Sequence, residues 1–190
     1  MTGITPVIPR QQAPALEVPL VGGGTWNLAD QSPENFSLVV VYRGRHCPIC
    51  SMYLAELQNQ LSAFEERGVN VITLSSDPQD RAEDAKTEWK LDKLTIGYGL
   101  DLDTARKWGL YISTSRGKTS NGIVEPDMFA EPGIFLVRPD NTIYFGTVQT
   151  MPFARPHFAD IVKALDFVLA NDYPARGEVV DHTAVSAAAE

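Results

Sequence analysis

The fold is decided by residues 36–50, FSLVVVYRGRHCPIC, which contain the only two cysteines of this 190-residue chain, Cys47 and Cys50. The first seven residues of this stretch are apolar without alternation, a pattern typical of a central strand covered on both faces. From Ile49 onward, apolar residues recur at helical spacing as far as Phe64. The two thiols are therefore predicted to lie where a strand ends and a helix begins.

This junction favours reactive thiols. The unpaired N–H groups of a helix's first turn favour negative charge, so they favour the nucleophilic thiolate form of Cys47. Pro48 fits this turn because it has no N–H group to leave unsatisfied. With two residues between them, Cys47 and Cys50 lie about one turn apart on the same helix face. Cys50 can then attack a bond formed at Cys47, which indicates redox chemistry.

Positive charge near the pair strengthens this prediction. Arg43 and Arg45 precede the first cysteine, and a protonated His46 would add a third charge. We therefore expect Cys47 to be the exposed thiol with the lowered pKa. An alternative stays open for the two arginines, which could be solvated loop charges.

Two other uses of the cysteine pair stay open. A C-x-x-C pair can supply half of a zinc site, but the remaining candidates, His46, His157 and His182, show no ligand spacing. A structural disulfide is the other use, although a bridge across so short a loop would stabilise the fold little. We expect neither a metal nor a cofactor.

Composition limits the class of protein. At 44% hydrophobic residues the chain can bury the core of one globular domain. The N-terminus lacks the features of a signal peptide and no apolar stretch approaches membrane-spanning length, so we expect a cytoplasmic protein whose C-x-x-C pair is kept reduced. The net charge of −8 argues against nucleic acid and anionic membranes as partners.

The pattern along the chain predicts an extended arm over residues 1–14, one domain over 15–171 and a C-terminal tail over 172–190. Within the domain the predicted elements are two short strands around Gly22–Gly24, strands over 36–42 and 69–74 joined by a helix, a helix from 78 to about 91, a strand over 94–98, a helix over 101–108, a strand over 133–137 with a hairpin partner over 142–146, and a last helix over 158–169. Residues 109–129 show no clear periodicity and are predicted to form a long loop that could cover the cysteines.

This order of elements resembles a thioredoxin fold with peroxiredoxin-type additions. The segments VVVYRGRHCPICSMYLAEL, NVITLSSD and EPGIFLVRPDNTIYF look like the AhpC/TSA or redoxin branch of that superfamily, over roughly residues 16–171. The resemblance implies an α/β protein with a central mixed sheet flanked by helices and an N-terminal strand pair.

The resemblance is incomplete at the site. Peroxiredoxins carry their peroxidatic cysteine in a PxxxTxxC motif, and aligning that cysteine with Cys47 places Val40 at the Pro and Gly44 at the Thr. The family's arginine before the next-to-last strand falls near Pro132, which instead resembles the cis-proline of thioredoxins; an ordinary strand-entry proline is the alternative. Arg43 and Arg45 could replace the missing arginine and bind peroxide oxygen.

The resemblance implies a thiol-dependent oxidoreductase, with Cys47, Cys50, Arg43, Arg45, His46 and Pro132 as candidate site residues. In the leading hypothesis Cys47 reduces a peroxide, Cys50 resolves the sulfenic acid, and an external thiol reductant such as a thioredoxin-like protein reduces the disulfide. The alternatives are a thioredoxin-like disulfide reductase that uses the same pair and a non-catalytic redox-sensing module. A homodimer is possible under each hypothesis.

Overall fold

A five-stranded sheet forms the centre of the protein in the computed structural model, which describes residues 4–181. The helices are α1 Pro48–Glu65, α2 Gln79–Glu88, α3 Leu102–Lys107 and α4 Phe158–Asn171. The strands are β1 Glu17–Pro19, β2 Thr25–Asn27, β3 Phe36–Val41, β4 Val69–Leu74, β5 Ile96–Gly97, β6 Ile112–Thr114, β7 Met128–Ala130, β8 Gly133–Val137 and β9 Ile143–Val148. The central sheet has the order β5-β4-β3-β8-β9.

The sheet is mixed, as the sequence predicts. All six residues of β3 are buried, and β3 pairs in parallel with β4 and antiparallel with β8. Val41, the last residue of β3, lies opposite Leu74 on one side and Gly133 on the other. Three strand ends therefore meet at the edge of the sheet where the cysteine loop begins.

Both faces of the sheet are covered, which explains the unbroken apolar run of β3. Leu38 and Val40 pack into a core shared with α1 and α4. Val39 and Val41 point the other way, into a second core that includes Trp108 after α3 and residues of the β1–β2 pair. The predicted α/β architecture and its N-terminal strand pair are confirmed.

Three parts of the chain differ most from the prediction. Residues 109–129 are not a simple loop, because β6 pairs antiparallel with β7 and closes a hairpin. These strands are three residues long, too short for a periodicity to show in the sequence. The helix predicted to reach about residue 91 ends at Glu88, and the strand predicted over 94–98 is reduced to Ile96–Gly97.

The segments on either side of the domain contact each other. The arm follows the edge strand β9, since Arg10 N donates to Ile143 O at 2.7 Å and Ile143 N donates to Gln11 O at 2.9 Å. Arg10 Nε also donates to the carbonyl of Ala175 at 3.0 Å. The last part of the predicted tail, residues 182–190, lies outside the described residues. Within residues 4–181, no helix has the length and apolar character needed to cross a membrane.

Candidate active site

The cysteine pair lies at the junction that the sequence predicts. Cys47 is the N-cap of α1, and Pro48 occupies the first turn of the helix. The N–H of Cys50 donates to the carbonyl of Cys47 at 3.0 Å. The first turn of the helix therefore brings both sulfurs to one place.

Both cysteines are reduced, and both are buried. Cys47 is 1% exposed and Cys50 is fully covered, within the core formed around α1, β3 and α4. The expectation that Cys47 is the exposed thiol is therefore wrong. Residue spacing places the pair on one helix face, but the depth of that face depends on segments distant in sequence, such as the linker between β9 and α4.

The two thiols differ in acidity. The pKa of Cys47 falls from 9.0 to about 6, chiefly because the Cys50 side chain hydrogen-bonds to it, with smaller contributions from the charges of Arg155 and Arg43. These effects outweigh burial, which raises the pKa. Burial raises the pKa of Cys50 well above its usual value. Near neutral pH Cys47 is therefore mainly thiolate, while Cys50 is the thiol that donates to it.

Arg155 contacts the pair from the linker between β9 and α4. Its Nη2 donates to the Cys50 sulfur at 3.3 Å, and its guanidinium carbon lies 4.9 Å from the centre of the Tyr53 ring. Sequence reasoning missed this residue, which stands 105 positions from Cys50. No motif marks it, and only the packing of the linker against α1 places it there.

Arg43 reaches the other side of the cysteine loop, where carboxylates neutralise its charge. Its Nη2 lies 3.5 Å from Glu125 and its Nε 3.3 Å from Glu131, and both glutamates are buried. The guanidinium also stacks on Phe129 of β7, 4.7 Å from the ring centre. The β6–β7 hairpin therefore packs against the cysteine loop through Arg43.

Arg45 is directed toward α2 rather than toward the sulfurs. Its Nη1 lies 2.7 Å from Asp84 and its Nη2 2.5 Å from Glu88. These contacts raise the pKa of Arg45, with the Glu88 hydrogen bond as the largest cause. Asp84 and Glu88 therefore neutralise the charge of Arg45, which the sequence predicts to stabilise the Cys47 thiolate.

His46 does not supply positive charge. It is fully buried, and its ring centre lies 4.5 Å from that of Phe129. Burial, followed by the nearby charges of Arg43 and Arg81, lowers the pKa of His46 from 6.5 to about 4. The expectation of a protonated imidazole is therefore wrong, because the ring has no compensating carboxylate among the described residues.

Gly44 explains why the family's threonine has no place in this loop. The residue has φ +128°, and a Cβ added there would meet the Asp77 carboxylate oxygen Oδ2 at 2.6 Å. That carboxylate is buried, accepts the N–H of Arg45 at 2.6 Å and pairs with Arg81 at 3.2 Å. A buried acid thus occupies the space that a side chain at Gly44 would need.

Pro132 is buried beside the end of β3, at the same sheet edge as the cysteine loop. Its carbonyl accepts the N–H of Gln149 at 2.9 Å, which fixes the start of the linker that carries Arg155. The peptide bond before Pro132 is trans, so the resemblance to the cis-proline of thioredoxins is wrong on this point. Pro132 is therefore an ordinary proline that precedes the first residue of β8, which is the alternative predicted from the sequence.

The part of the chain that the structure covers contains no group of three His, Cys, Asp or Glu side chains placed to hold a metal ion. The arrangement at the pair consists of a thiolate, a neighbouring thiol and one guanidinium. Such a set can attack an electrophilic oxygen or sulfur and then close a disulfide.

Comparison with known proteins agrees with this chemistry. The sequence profile of the AhpC/TSA family matches residues 9–145. A Mycobacterium tuberculosis protein provisionally named as a peroxiredoxin is 28% identical over 127 residues, which are 65% of this chain and 78% of that protein.

Solved structures share the fold. The 2-Cys peroxiredoxin of Plasmodium vivax superposes with a TM-score of 0.70 at 15% identity, over 88% of this chain and 84% of that one. The peroxidoxin BcpB of Mycobacterium tuberculosis superposes with a TM-score of 0.65 at 15% identity, over 87% of this chain and 98% of that one. Since the family profile spans most of the sequence, the chain belongs to the AhpC/TSA family and is a peroxiredoxin-like, thiol-dependent oxidoreductase.

Proposed function

We propose that the protein reduces peroxides, with Cys47 as the attacking thiolate and Cys50 as the thiol that resolves the oxidised product. The observation that carries this proposal is the unequal pair. Cys47 has a pKa of about 6 because Cys50 hydrogen-bonds to it. A thiolate is therefore available near neutral pH, and its reaction partner is one helical turn away.

The reaction has two steps. The Cys47 thiolate attacks one oxygen of the peroxide, the O–O bond breaks, and the other oxygen leaves as an alcohol or water after taking a proton. The product is a Cys47 sulfenic acid. The Cys50 sulfur then attacks the Cys47 sulfur, the S–O bond breaks, and hydroxide leaves as water with the proton of the Cys50 thiol. Cys47 is 1% exposed, so the first step requires local opening around the start of α1.

An external dithiol completes the proposed cycle by reducing the Cys47–Cys50 disulfide. A thioredoxin-like protein fits this role, because its dithiol exchanges readily with a disulfide. We place the cycle in the cytoplasm, where such dithiols are kept reduced. A homodimer is the proposed assembly, to be checked by analytical ultracentrifugation.

A second candidate function is disulfide reduction by the same pair. The observation that favours it is Gly44, which stands where peroxiredoxins carry a threonine that faces the peroxide. Under this alternative the Cys47 thiolate attacks a substrate disulfide, and Cys50 resolves the mixed disulfide.

Stopped-flow mixing of the reduced protein with hydrogen peroxide tests the proposal, with Cys47→Ser and Cys50→Ser as the variants. Wild type should be oxidised far faster than a free thiol of similar pKa. Cys50→Ser should react once and hold a sulfenic acid that dimedone traps, and Cys47→Ser should not react. Rapid reduction of a small disulfide, together with a peroxide rate no faster than that of a free thiol, would favour the second function. If Cys50→Ser turned over like wild type, a one-cysteine mechanism would replace the proposed one.

A further inference from the structure

Three arginines lie around the cysteine pair, and they differ in what neutralises them. Arg43 pairs with two buried glutamates, and Arg45 pairs with two carboxylates of α2. The contacts of Arg155 are of another kind: its charge acts with Cys50, Cys47 and Tyr53, and over residues 4–181 no carboxylate forms an ion pair with it. Its charge is therefore directed at the sulfurs.

The Arg155 guanidinium touches the second cysteine of the pair. Nη2 donates to the Cys50 sulfur at 3.3 Å. Nε and Nη1 are buried and have no hydrogen-bond acceptor in the described part of the protein. A buried N–H group without an acceptor costs free energy, so each of these donors is free to bind an oxygen that arrives or leaves beside the sulfurs.

The linker holds Arg155 in place from both sides. The guanidinium stacks on the Tyr53 ring at 4.9 Å, and the Tyr53 hydroxyl donates to the carbonyl of Pro156 at 2.6 Å. After the linker, the N–H of Phe158 donates to Glu56 at 2.9 Å. Since Tyr53 and Glu56 belong to the same helix as Cys50, the arginine and the sulfur are fixed to one rigid element.

We propose that Arg155 is a catalytic residue of the second step, in which its guanidinium stabilises the Cys50 sulfur as a thiolate while that sulfur attacks the oxidised Cys47. Nη2 keeps its contact with the attacking sulfur. Nε, whose N–H points to the same side of the guanidinium as Nη2, binds the oxygen that leaves the Cys47 sulfur as hydroxide and becomes water with the proton that Cys50 loses. This inference rests on the proposed role of Cys50 as the resolving thiol.

Cys50 depends on a neighbouring cation to become a thiolate more than Cys47 does, because its pKa is raised and that of Cys47 is lowered. Burial and the negative charge of Cys47 raise the pKa of Cys50, whereas Arg155 is the group that lowers it. Once Cys47 has become a sulfenic acid, its negative charge is gone, while Arg155 remains. The guanidinium therefore acts on Cys50 most strongly at the moment when Cys50 has to attack.

The test compares Arg155→Met with Arg155→Lys, which keeps the charge. Arg138→Met is the matched control, because Arg138 also stacks on a tyrosine, at 4.8 Å from the Tyr144 ring, away from the cysteines. In single-turnover quenched-flow reactions with hydrogen peroxide, Arg155→Met should slow disulfide formation by about a hundredfold. Its dimedone-trappable sulfenic acid should accumulate, and its rate of disulfide formation should rise with pH at a higher apparent pKa than in wild type. Arg155→Lys should recover part of the rate, and Arg138→Met should behave like wild type.

A second measurement avoids peroxide altogether. Reaction of the reduced protein with 5,5′-dithiobis(2-nitrobenzoate) places a thionitrobenzoate group on Cys47, and attack by Cys50 then releases a second coloured thiol. Arg155→Met should slow this second release and leave its amplitude unchanged. An unchanged second release in Arg155→Met, or an equal loss in Arg138→Met, would overturn the role of Arg155. A failure of Cys50→Ser to form any trappable sulfenic acid with hydrogen peroxide would overturn the peroxidase proposal instead, since the thionitrobenzoate assay does not depend on peroxide.

Discussion

The cysteine loop has two sides that treat an arginine in opposite ways. On the carboxylate side, defined by Asp77, Glu125 and Glu131, each arginine meets an acid. On the sulfur side, defined by Cys50, Tyr53 and Arg155, the arginine meets a thiol and an aromatic ring. The difference shows that a nearby arginine stabilises a cysteine thiolate most when no carboxylate neutralises its charge. Counting the arginines near a cysteine therefore does not predict how acidic its thiol is.

The carboxylate side is a buried scaffold. The Ser113 hydroxyl donates to Glu131 at 2.5 Å, and the N–H of Arg116 donates to Glu125 at 2.7 Å. These bonds lie within the hairpin segment and hold the two glutamates in place, and the ion pairs of the glutamates with Arg43 tie the hairpin to the cysteine loop. Buried ion pairs of this kind add little net stability, but removing one partner is costly. We therefore expect changes on this side to affect folding first and reactivity second.

Gly44→Ala should have the largest effect, because it forces a methyl group into the Asp77 carboxylate. Strain at φ +128° and displacement of the buried acid should together lower the free energy of unfolding by about 4 kcal/mol. Urea unfolding followed by circular dichroism measures it. The control is Gly23→Ala, where φ is +103° but nothing lies within 4 Å, so only the strain of about 1–3 kcal/mol remains. Equal losses in the two variants would mean that Asp77 yields freely.

His46 provides the next largest effect, through pH. Its pKa is about 4 in the folded protein against 6.5 when unperturbed, so between these values the unfolded chain binds more protons. Stability should therefore fall as the pH drops from 6.5 to 4, by about 3 kcal/mol from this group alone. Urea unfolding across this range measures the slope. His46→Gln should flatten the profile by this amount; parallel profiles for wild type and His46→Gln would contradict the prediction.

Much of the fold could be predicted from the sequence, because its main signals are local. The apolar run of β3, the helical spacing from Ile49 onward and the first-turn Pro48 each act within a few residues, and both elements they indicate, β3 and α1, are present. The β6–β7 hairpin was not predicted, since two strands of three residues leave no periodicity. The hairpin is placed by the contacts of Glu131 and Phe129 with Arg43 of the cysteine loop, which are tertiary.

The candidate site divides in the same way. The reactive pair itself and the hydrogen bond from Cys50 that lowers the Cys47 pKa follow from a spacing of one helical turn, which the sequence shows directly. The burial that raises the pKa of Cys50 is tertiary. The burial of Cys47, the neutral state of His46 and the contact of Arg155 all depend on segments from other parts of the chain. A charged residue that is close to a cysteine in sequence therefore says less about the acidity of the thiol than the residues that contact the thiol in the folded protein.

Glu131→Gln sharpens the comparison by freeing part of the Arg43 charge. The variant weakens a buried ion pair at 3.3 Å, and we expect it to lower the free energy of unfolding by about 1–3 kcal/mol. Because Arg43 is among the groups that lower the pKa of Cys47, that pKa should fall further. Thiolate absorbance at 240 nm against pH measures it. The control is Asp160→Asn, whose exposed pair with Lys163 spans 3.9 Å, and it should change neither quantity. A rise in the Cys47 pKa would contradict this, and would mean that Arg43 needs Glu131 to hold it near the sulfur.

Arg45→Ala should have the smallest effect, although Arg45 stands two residues before Cys47. Its two partners are half exposed, at 54% and 48%, so the ion pairs contribute at most about 1 kcal/mol. The Arg45 N–H bond to Asp77 is a backbone contact that the substitution keeps. Arg45 is not among the groups that lower the pKa of Cys47. The rates of reaction of Cys47 with peroxide and with iodoacetamide, measured side by side, should therefore both stay within about twofold of wild type, which corresponds to roughly 0.4 kcal/mol. A selective loss of the peroxide reaction would mean that Arg45 leaves α2 and binds peroxide oxygen during turnover. An arginine paired with carboxylates would then act as a catalytic cation, and the contrast with Arg155 would disappear.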